Sequence, residues 1–150
     1  MVMPQSGFDI VRMGAEHISE IAELEKLCFS EPWSENSLRE EINNQDACFL
    51  VAVCGGKVLG YAGMHTPSGD CYVDNIAVFP QCRKLGIGLA LTSALIDEAM
   101  KLGDFISLEV RESNVPAISL YEKLGFKIQG KRKNFYTNPR EDAFIYTLFK

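Results

Sequence analysis

The sequence is poor in residues that cross-link small extracellular proteins or bind metals. Its 150 residues include only five cysteines and two histidines. The cysteine count is odd and no C-x-x-C pair occurs, so neither a disulfide framework nor a zinc site is indicated. His17 and His65 are far apart and share no ligand motif, and we therefore expect no metal and no histidine-based triad. We expect reduced thiols in a cytoplasmic protein, with Cys48 and Cys54 as small core residues.

Long apolar runs and an excess of positive charge are also missing. The longest uninterrupted apolar run, Ala47 to Cys54, has eight residues, whereas a membrane-spanning helix needs ~20. The N-terminal stretch, Met1 to Ser6, has neither the basic region nor the apolar stretch of a signal peptide. The formal net charge of −5 argues against broad nucleic-acid binding. We therefore expect a globular protein with no membrane partner and no direct nucleic-acid partner.

The patterns that are present predict one continuous domain over residues 1–150, because no repeat, low-complexity tract or linker interrupts the chain. Predicted strands lie at 8–13, 47–54, 57–66, 71–79, 105–110, 126–135 and 142–149. Predicted helices lie at 15–29, 35–42, 86–102 and 116–124. The resulting order, β-αα-βββ-α-β-α-ββ, indicates an α/β fold in which helices cover a mixed sheet.

A glycine-containing loop separates the predicted strand at 71–79 from the long helix. Gly86 and Gly88 open that helix, and Arg83 and Lys84 precede them. Free N–H groups and the positive end of the helix dipole favour an anion there, and the two cations add charge, which together indicate pyrophosphate binding. No Gly-Lys-Ser/Thr follows, and Leu91 stands where a dinucleotide fingerprint needs its third glycine. A solvated glycine-rich loop without a ligand is the alternative.

A second motif follows further along the chain. Residues 114–126 have the form N-x-x-A-x-x-L-Y-x-x-x-G-F, and residues 78–88 have the form V-x-P-x-x-R-x-x-G-I-G. Together with the order of helices and strands, these two motifs resemble the GNAT family of acyl-CoA N-acyltransferases. The resemblance extends over nearly the whole chain and implies the GNAT fold.

Three short segments carry a closer resemblance, to the bacterial N-terminal alanine acetyltransferases of ribosomal proteins (the RimI group). They read F-S-E-P-W-S at 29–34, L-E-V-R-E-S-N at 108–114 and R-E-D-A at 140–143. Residues 133–139, K-N-F-Y-T-N-P, depart from that group, which often carries two tyrosines and a slightly longer loop here. This loop borders the acceptor site in the fold, so the resemblance implies acetyl-CoA more firmly than it implies the acceptor.

The resemblance implies where acetyl-CoA, the cosubstrate, would bind. In this family the fourth strand separates from the fifth, and the pantetheine arm lies in the gap. The implied backbone contacts, one of them an amide that polarises the thioester carbonyl, come from Ile76, Ala77 and Val78. The residues implied to hold the pyrophosphate are Arg83, Lys84, Leu85, Gly86, Ile87 and Gly88. Asn114 is implied to contact the cofactor near the start of the following helix.

The resemblance also implies two catalytic residues. Glu109 is the implied general base, acting through water, and Tyr121 is the implied acid that protonates the coenzyme A thiolate. The residues alone leave both roles open. Glu109 alternates with Leu108 and Val110 on its strand, a pattern that a glutamate facing solvent also gives. Tyr121 shares a helical stripe with apolar residues, as an ordinary core tyrosine does.

Two charged segments have alternative interpretations. Residues 16–46 carry a local net charge of −7, which fits either an acidic rim that attracts a basic peptide or a solvated helix face. Lys127, Lys131, Arg132 and Lys133 form a basic cluster. These cations either discourage pairing of a strand edge or contact ribosomal RNA, and we favour the first interpretation.

The function implied is transfer of acetyl from acetyl-CoA to the N-terminal α-amine of a protein, an alanine-starting ribosomal protein, by direct attack. The alternatives are acetylation of a small amine or a lysine side chain, and a non-catalytic module that binds acyl-CoA.

Overall fold

The computed structural model describes residues 7–150, so the N-terminal stretch 1–6, in which no leader is predicted, lies outside the described residues. The strands are β1 Asp9–Arg12, β2 Ala47–Cys54, β3 Lys57–His65, β4 Cys71–Val78, β5 Phe105–Arg111, β6 Lys127–Thr137 and β7 Arg140–Phe149. The α-helices are α1 Ile18–Cys28, α2 Glu35–Glu41, α3 Ile87–Leu102 and α4 Val115–Lys123. The predicted order of elements is confirmed. No helix within residues 7–150 is long and apolar enough to cross a membrane.

All seven strands form one sheet in the order β1-β2-β3-β4-β5-β7-β6. Neighbouring strands are antiparallel except β4 and β5, which are parallel. The β2–β3 hairpin turns at Gly55 and Gly56, whose φ angles of 57° and 78° favour glycine. The predicted mixed sheet is therefore confirmed.

The one parallel pair opens in the middle of the sheet. β4 and β5 pair only at Cys71 with Ile106 and at Tyr72 with Ser107. Beyond these pairs the strands diverge, although β4 continues to Val78 and β5 to Arg111. The divergence leaves a gap at the carboxyl ends of both strands, where parallel strands of α/β proteins commonly bind ligands.

β3 lies at the centre of the core. Every residue from Val58 to Met64 is buried. Because successive side chains of a strand point to opposite faces, this burial requires cover on both faces of the sheet. α1 packs on β3 and β4, and α3 packs across β1 to β5, and together they provide that cover. The central strands are thereby fixed on both faces, which positions the gap beside them.

Local sequence explains how the helices begin. Ser34 is the N-cap of α2 as predicted, and its hydroxyl accepts a hydrogen bond from the Ser37 N–H at 3.1 Å. Gly86 precedes α3 with a φ of 82°, in the left-handed region. Asn114 caps α4 by accepting from the Ala117 N–H at 3.3 Å. These residues determine where the three helices begin.

The structure differs from the sequence prediction in two places. The first helix does not begin as an α-helix, because residues 15–17 form a 3₁₀ turn before α1. The last hairpin is longer than predicted, because β6 extends to Thr137 and β7 already begins at Arg140. The pairing of β6 with β7 shifts register between Arg132 and Tyr136, where Asn134 has a φ of 55°. This irregularity allows the strand to include residues that do not fit a regular strand pattern. The segment 133–139 is therefore mostly strand.

Candidate active site

A cleft of about 690 Å³ lies beside the divergent strands. We call it the cleft from here on. Its walls come from the α1–α2 connection, β4, β5, the start and middle of α4, and the tip of the β6–β7 hairpin. The lining residues are 28–31, Trp33, 73–76, 108–111, Asn114, Tyr121 and 135–139. The cleft thus lies where β4 and β5 separate.

Glu109 lies on β5 and lines the cleft. Its side chain is 30% exposed, and its Oε1 accepts a hydrogen bond from Arg132 Nε at 3.1 Å. Of the two interpretations that the alternating pattern allowed, the structure therefore places this carboxylate at the cleft. There it is accessible to solvent.

Tyr121 lies on α4, is buried, and lines the same cleft. Its ring packs against Phe126 with 5.7 Å between ring centroids. Burial, and to a smaller extent the neighbouring Tyr136, raise the pKa of Tyr121 to about 12. The phenol consequently keeps its proton at neutral pH and is able to donate it to a base in the cleft.

The edge of β4 that faces the gap presents free backbone groups. The Phe79 N–H donates to the Leu59 carbonyl of β3 at 2.9 Å, whereas the Val78 carbonyl accepts from Arg83 Nε at 3.2 Å. Because backbone groups alternate in direction along a strand, the N–H groups of Ile76 and Val78 face the gap. Two amide donors are thus aimed at the space between β4 and β5.

Ala77 lies between these two residues and is turned the other way. It pairs with β3, and its carbonyl oxygen is so near Gly60 that a Cβ there would lie 2.7 Å from it. The side chain of Ala77 is buried in the core. Of residues 76–78, Ala77 therefore directs its backbone toward β3 and the other two direct theirs toward the gap.

The loop from Arg83 to Gly88 lies beyond the end of β4 and is not part of the cleft wall. Lys84 and Gly86 both have positive φ, 64° and 82°, which turn the chain into the first turn of α3. Within residues 7–150, neither Arg83 nor Lys84 forms an ion pair. Leu85 is exposed, and Ile87 is buried beneath the helix start.

This arrangement fits a ligand with an extended polar arm and a pyrophosphate. The amides of Ile76 and Val78 are donors along the gap, as an amide-containing arm requires. Beyond the far end of the gap, the N-terminus of α3 presents its N–H groups beside the side chains of Arg83 and Lys84. This combination suits a pyrophosphate. Asn114 lines the cleft but uses its Oδ1 to cap α4.

Asp74 also lines the cleft, and sequence reasoning missed it. His65 Nδ1 lies 2.5 Å from Asp74 Oδ2, and its other ring nitrogen lies 2.7 Å from Glu41 Oε2. These residues come from β4, β3 and the end of α2, so no local motif joins them. Only the packing of α2 against the sheet brings them together.

Glu25 is a second group that the sequence did not single out. It is fully buried, and it accepts hydrogen bonds from Trp33 N at 2.9 Å, Tyr61 Oη at 2.6 Å and Asn75 Nδ2 at 3.0 Å. Burial raises the pKa of Glu25, and these three donors lower it by a smaller amount. Trp33 and Asn75 line the cleft, so this buried carboxylate fixes two pieces of its wall.

Arg111 fixes the hairpin on the opposite wall. Its Nη1 donates to the Pro139 carbonyl at 2.9 Å and to Glu141 Oε1 at 3.2 Å. Its guanidinium lies over the Tyr136 ring, 4.2 Å from the centroid. The tip of the hairpin is therefore tied to β5, the strand that carries Glu109.

Comparison with known proteins identifies relatives that cover nearly the whole chain. A Bacillus subtilis (strain 168) protein, provisionally named ribosomal protein bS18-alanine N-acetyltransferase, is 38% identical over 136 residues, covering 89% of each chain. The Escherichia coli (strain K12) ribosomal protein bS18-alanine N-acetyltransferase is 38% identical over 128 residues, covering 83% of this chain and 86% of that protein.

A solved structure and a family profile agree with these relatives. The crystal structure of the ribosomal-protein-S18-alanine N-acetyltransferase from Escherichia coli superposes with a TM-score of 0.85 at 33% identity, covering 95% of this chain and 93% of that one. The profile described as the acetyltransferase (GNAT) family matches residues 18–126, from the start of α1 to the residue before β6. The chain therefore belongs to the GNAT family of acetyltransferases.

Proposed function

We propose that this acetyl-CoA-dependent N-acetyltransferase acts on the N-terminal α-amine of a protein, and that its acceptor is a ribosomal protein that begins with alanine. The observation that carries the proposal is the placement of Glu109 and Tyr121 in one cleft at the β4–β5 gap. The acceptor class is supported by the relatives from Bacillus subtilis and Escherichia coli, whose names give the alanine of ribosomal protein bS18.

Acetyl-CoA supplies the acetyl thioester when it is bound. Ile76 and Val78 offer it backbone N–H donors along the gap, and one of these N–H groups stabilises the negative charge that develops on the acetyl oxygen. Ala77 holds this edge in register by pairing with β3. Arg83, Lys84 and the N–H groups from Leu85 to Gly88 hold the pyrophosphate, and Asn114 borders the ligand at the start of α4.

The proton transfers follow from the two side chains in the cleft. Glu109 accepts, through a water molecule, the proton that the acceptor ammonium must lose before its nitrogen attacks. The nitrogen forms a bond to the acetyl carbon, the carbon–sulfur bond breaks, and the nitrogen then loses its second proton to solvent. Tyr121 donates its phenolic proton to the departing sulfur and regains a proton from solvent. General acid–base groups of this kind typically contribute ~10²–10⁴-fold each.

An α-amine suits this cleft better than a lysine side chain. An N-terminal amine has a pKa of about 7.7–8.0, so roughly a tenth to a third of it is neutral near pH 7.2. A lysine with a pKa near 10.4 is neutral only about once in 10³ molecules. One partly exposed glutamate acting through water is therefore sufficient to deprotonate an N-terminal amine.

The acidic segment 16–46 contributes less to an acceptor rim than its charge suggests. Glu25 is buried, Glu20 accepts from the Val58 N–H at 3.1 Å, and Glu41 is paired with His65. Glu31 lines the cleft and accepts from Thr137 Oγ1 at 3.2 Å. Only some of the acidic side chains in segment 16–46 are therefore available to form a rim that attracts a basic peptide.

The basic cluster is partly neutralised by acidic neighbours. Lys131 Nζ lies 3.2 Å from Asp142 and 3.4 Å from Glu112, and Arg132 is paired with Glu109. These pairs favour a structural role for the cluster, and we propose no direct nucleic-acid partner. We also propose that the reaction takes place in the cytoplasm.

The test is acetylation of two basic peptides with acetyl-CoA, read by mass and by fragmentation. One peptide has a free N-terminal alanine, and the other is blocked there but carries internal lysines. Acetyl on the free alanine alone supports the proposal, whereas acetyl on lysine alone makes the enzyme a lysine acetyltransferase. Binding of acetyl-CoA without transfer to either peptide indicates a small-amine acceptor or a non-catalytic binding module.

A further inference from the structure

Asp74 faces the cleft from β4 and is held from behind by a chain of polar contacts that the reaction above does not use. His65 contacts Asp74 Oδ2 through Nδ1 and Glu41 Oε2 through its other nitrogen. The Glu41 side chain is only 12% exposed, and Asn44 Nδ2 also donates to its Oε2 at 3.2 Å. Trp33 stacks on the His65 ring with 6.2 Å between centroids. The imidazole therefore has one fixed orientation.

The charges of this group do not cancel. Burial opposes a positive charge on His65, but the flanking carboxylates of Asp74 and Glu41 raise its pKa above the usual value. Even when protonated, the single imidazole offsets at most one of the two carboxylates that contact it. Glu109, across the gap on β5, is instead neutralised one-to-one by Arg132. Of these two groups, the one centred on His65 carries the excess negative charge into the cleft.

Neither a metal site nor a purely structural ion pair explains the arrangement of Asp74, His65 and Glu41. The two carboxylates contact opposite nitrogens of one ring, so the three side chains do not converge on a point where a metal could bind. A purely structural ion pair between β3 and α2 needs only His65 and Glu41. Asp74 adds a carboxylate at the cleft wall, with its side chain 27% exposed and Oδ1 free of hydrogen bonds within residues 7–150.

We propose that Asp74 binds the α-ammonium group of the acceptor, with His65 and Glu41 as positioning residues. Oδ2 is occupied by His65, and Oδ1 accepts from the ammonium. The acceptor nitrogen is thereby held between β4 and β5, and Glu109 on the opposite strand takes its proton through water. Asp74 has this role only if the acceptor is an N-terminal amine, as proposed above.

The experiment compares binding of two peptides that differ only in the ammonium group. One begins with alanine, and in the other a propionyl group replaces the alanyl residue, which removes the amine and keeps the shape. Dissociation constants are measured calorimetrically with coenzyme A present, so that no transfer occurs. We expect wild-type protein to prefer the alanyl peptide by about tenfold or more, as a charge-assisted hydrogen bond provides. Asp74→Asn, of nearly equal size, should reduce that preference to about twofold or less.

Asp70→Asn is the matched control, because Asp70 precedes β4, does not line the cleft, and loses the same charge. It should retain the wild-type preference. Asp74→Ser provides a second variant if Asp74→Asn does not fold, as judged by circular dichroism and acetyl-CoA binding. An undiminished preference in the Asp74 variants, or none in wild-type protein, overturns the inference. Failure of wild-type protein to acetylate the alanyl peptide would instead contradict the proposed function.

Discussion

Arg132 donates a charge-assisted hydrogen bond to Glu109, with 3.1 Å between Nε and Oε1, and so links the β6–β7 hairpin to the proposed base on β5. The two side chains are 55% and 30% exposed. An ion pair this open to solvent contributes at most about 1 kcal/mol to stability. Its main consequence is therefore orientation, since it fixes one carboxylate oxygen and leaves the other directed to the cleft.

Glu109→Gln should lower kcat by roughly 10²–10⁴-fold, because the amide keeps the size of the side chain but accepts no proton. The KM for acetyl-CoA should not change, since the cofactor contacts lie on β4 and before α3. Steady-state kinetics with the alanine peptide measures both quantities. Lys133→Ala, on the same hairpin and outside the ion pair, is the control. A kcat for Glu109→Gln within about threefold of wild type would remove Glu109 from the proton transfer.

Tyr121→Phe should lower kcat by about 10²-fold or more while leaving the acetyl-CoA dissociation constant unchanged, because the phenol acts only on the departing sulfur. Stability should change little, since the hydroxyl makes no hydrogen bond within residues 7–150. Tyr146→Phe is the matched control, as its hydroxyl bonds to Glu122 at 2.9 Å outside the cleft. Equal loss of kcat in both variants would assign the effect to packing rather than to proton donation.

The sequence predicted the parts of the site that depend on local structure. Gly86 at the start of α3 follows from helix-end chemistry, and the strand that carries Glu109 follows from its alternating pattern. Asn114 was implied only as a cofactor contact by the family resemblance, and its role as the N-cap of α4 was not predicted. The gap beside β4 was implied by the family resemblance, and the structure confirms it. Each of these features is determined by residues close together in the chain or by motifs that carry the fold.

Residues brought together by tertiary packing could not be predicted in this way. His65 meets Asp74 and Glu41 only because α2 packs against α1 and β2, which places Glu41, its last residue, at the end of β3. Glu25 resembles a solvated helix residue, and its burial depends on donors from Tyr61 and Asn75 on two strands. These partners lie on different helices and strands, 9 to 50 residues apart in sequence, so no short-range pattern records the contacts.

Gly86→Ala should weaken acetyl-CoA binding, because φ at this position is 82° and the loop before α3 must keep this shape to present its N–H groups. The strain of a left-handed alanine costs about 1–2 kcal/mol. Gly56→Ala is the matched control: its φ is 78°, and an added Cβ meets no atom within 4 Å at either site. Both variants should lose similar stability in urea, and only Gly86→Ala should lose affinity by calorimetry. Equal affinity in the two variants contradicts a pyrophosphate site here.

Glu25→Gln should destabilise the protein by about 1–3 kcal/mol, because all three partners of Glu25 are donors and the new amide group faces them with a donor of its own. Burial raises the pKa of Glu25 in the folded state above its usual 4.5. The folded state then binds more protons than the unfolded state, so the stabilisation from Glu25 is complete below the unfolded pKa and is lost as the pH rises through the folded pKa. The difference in unfolding free energy between wild type and Glu25→Gln should therefore narrow as the pH rises above 4.5 in urea titrations. Glu23→Gln, exposed on the same helix, is the control and should change stability by no more than about 0.5 kcal/mol. A difference for Glu25→Gln that widens with pH would show that the folded protein favours the ionised carboxylate of Glu25.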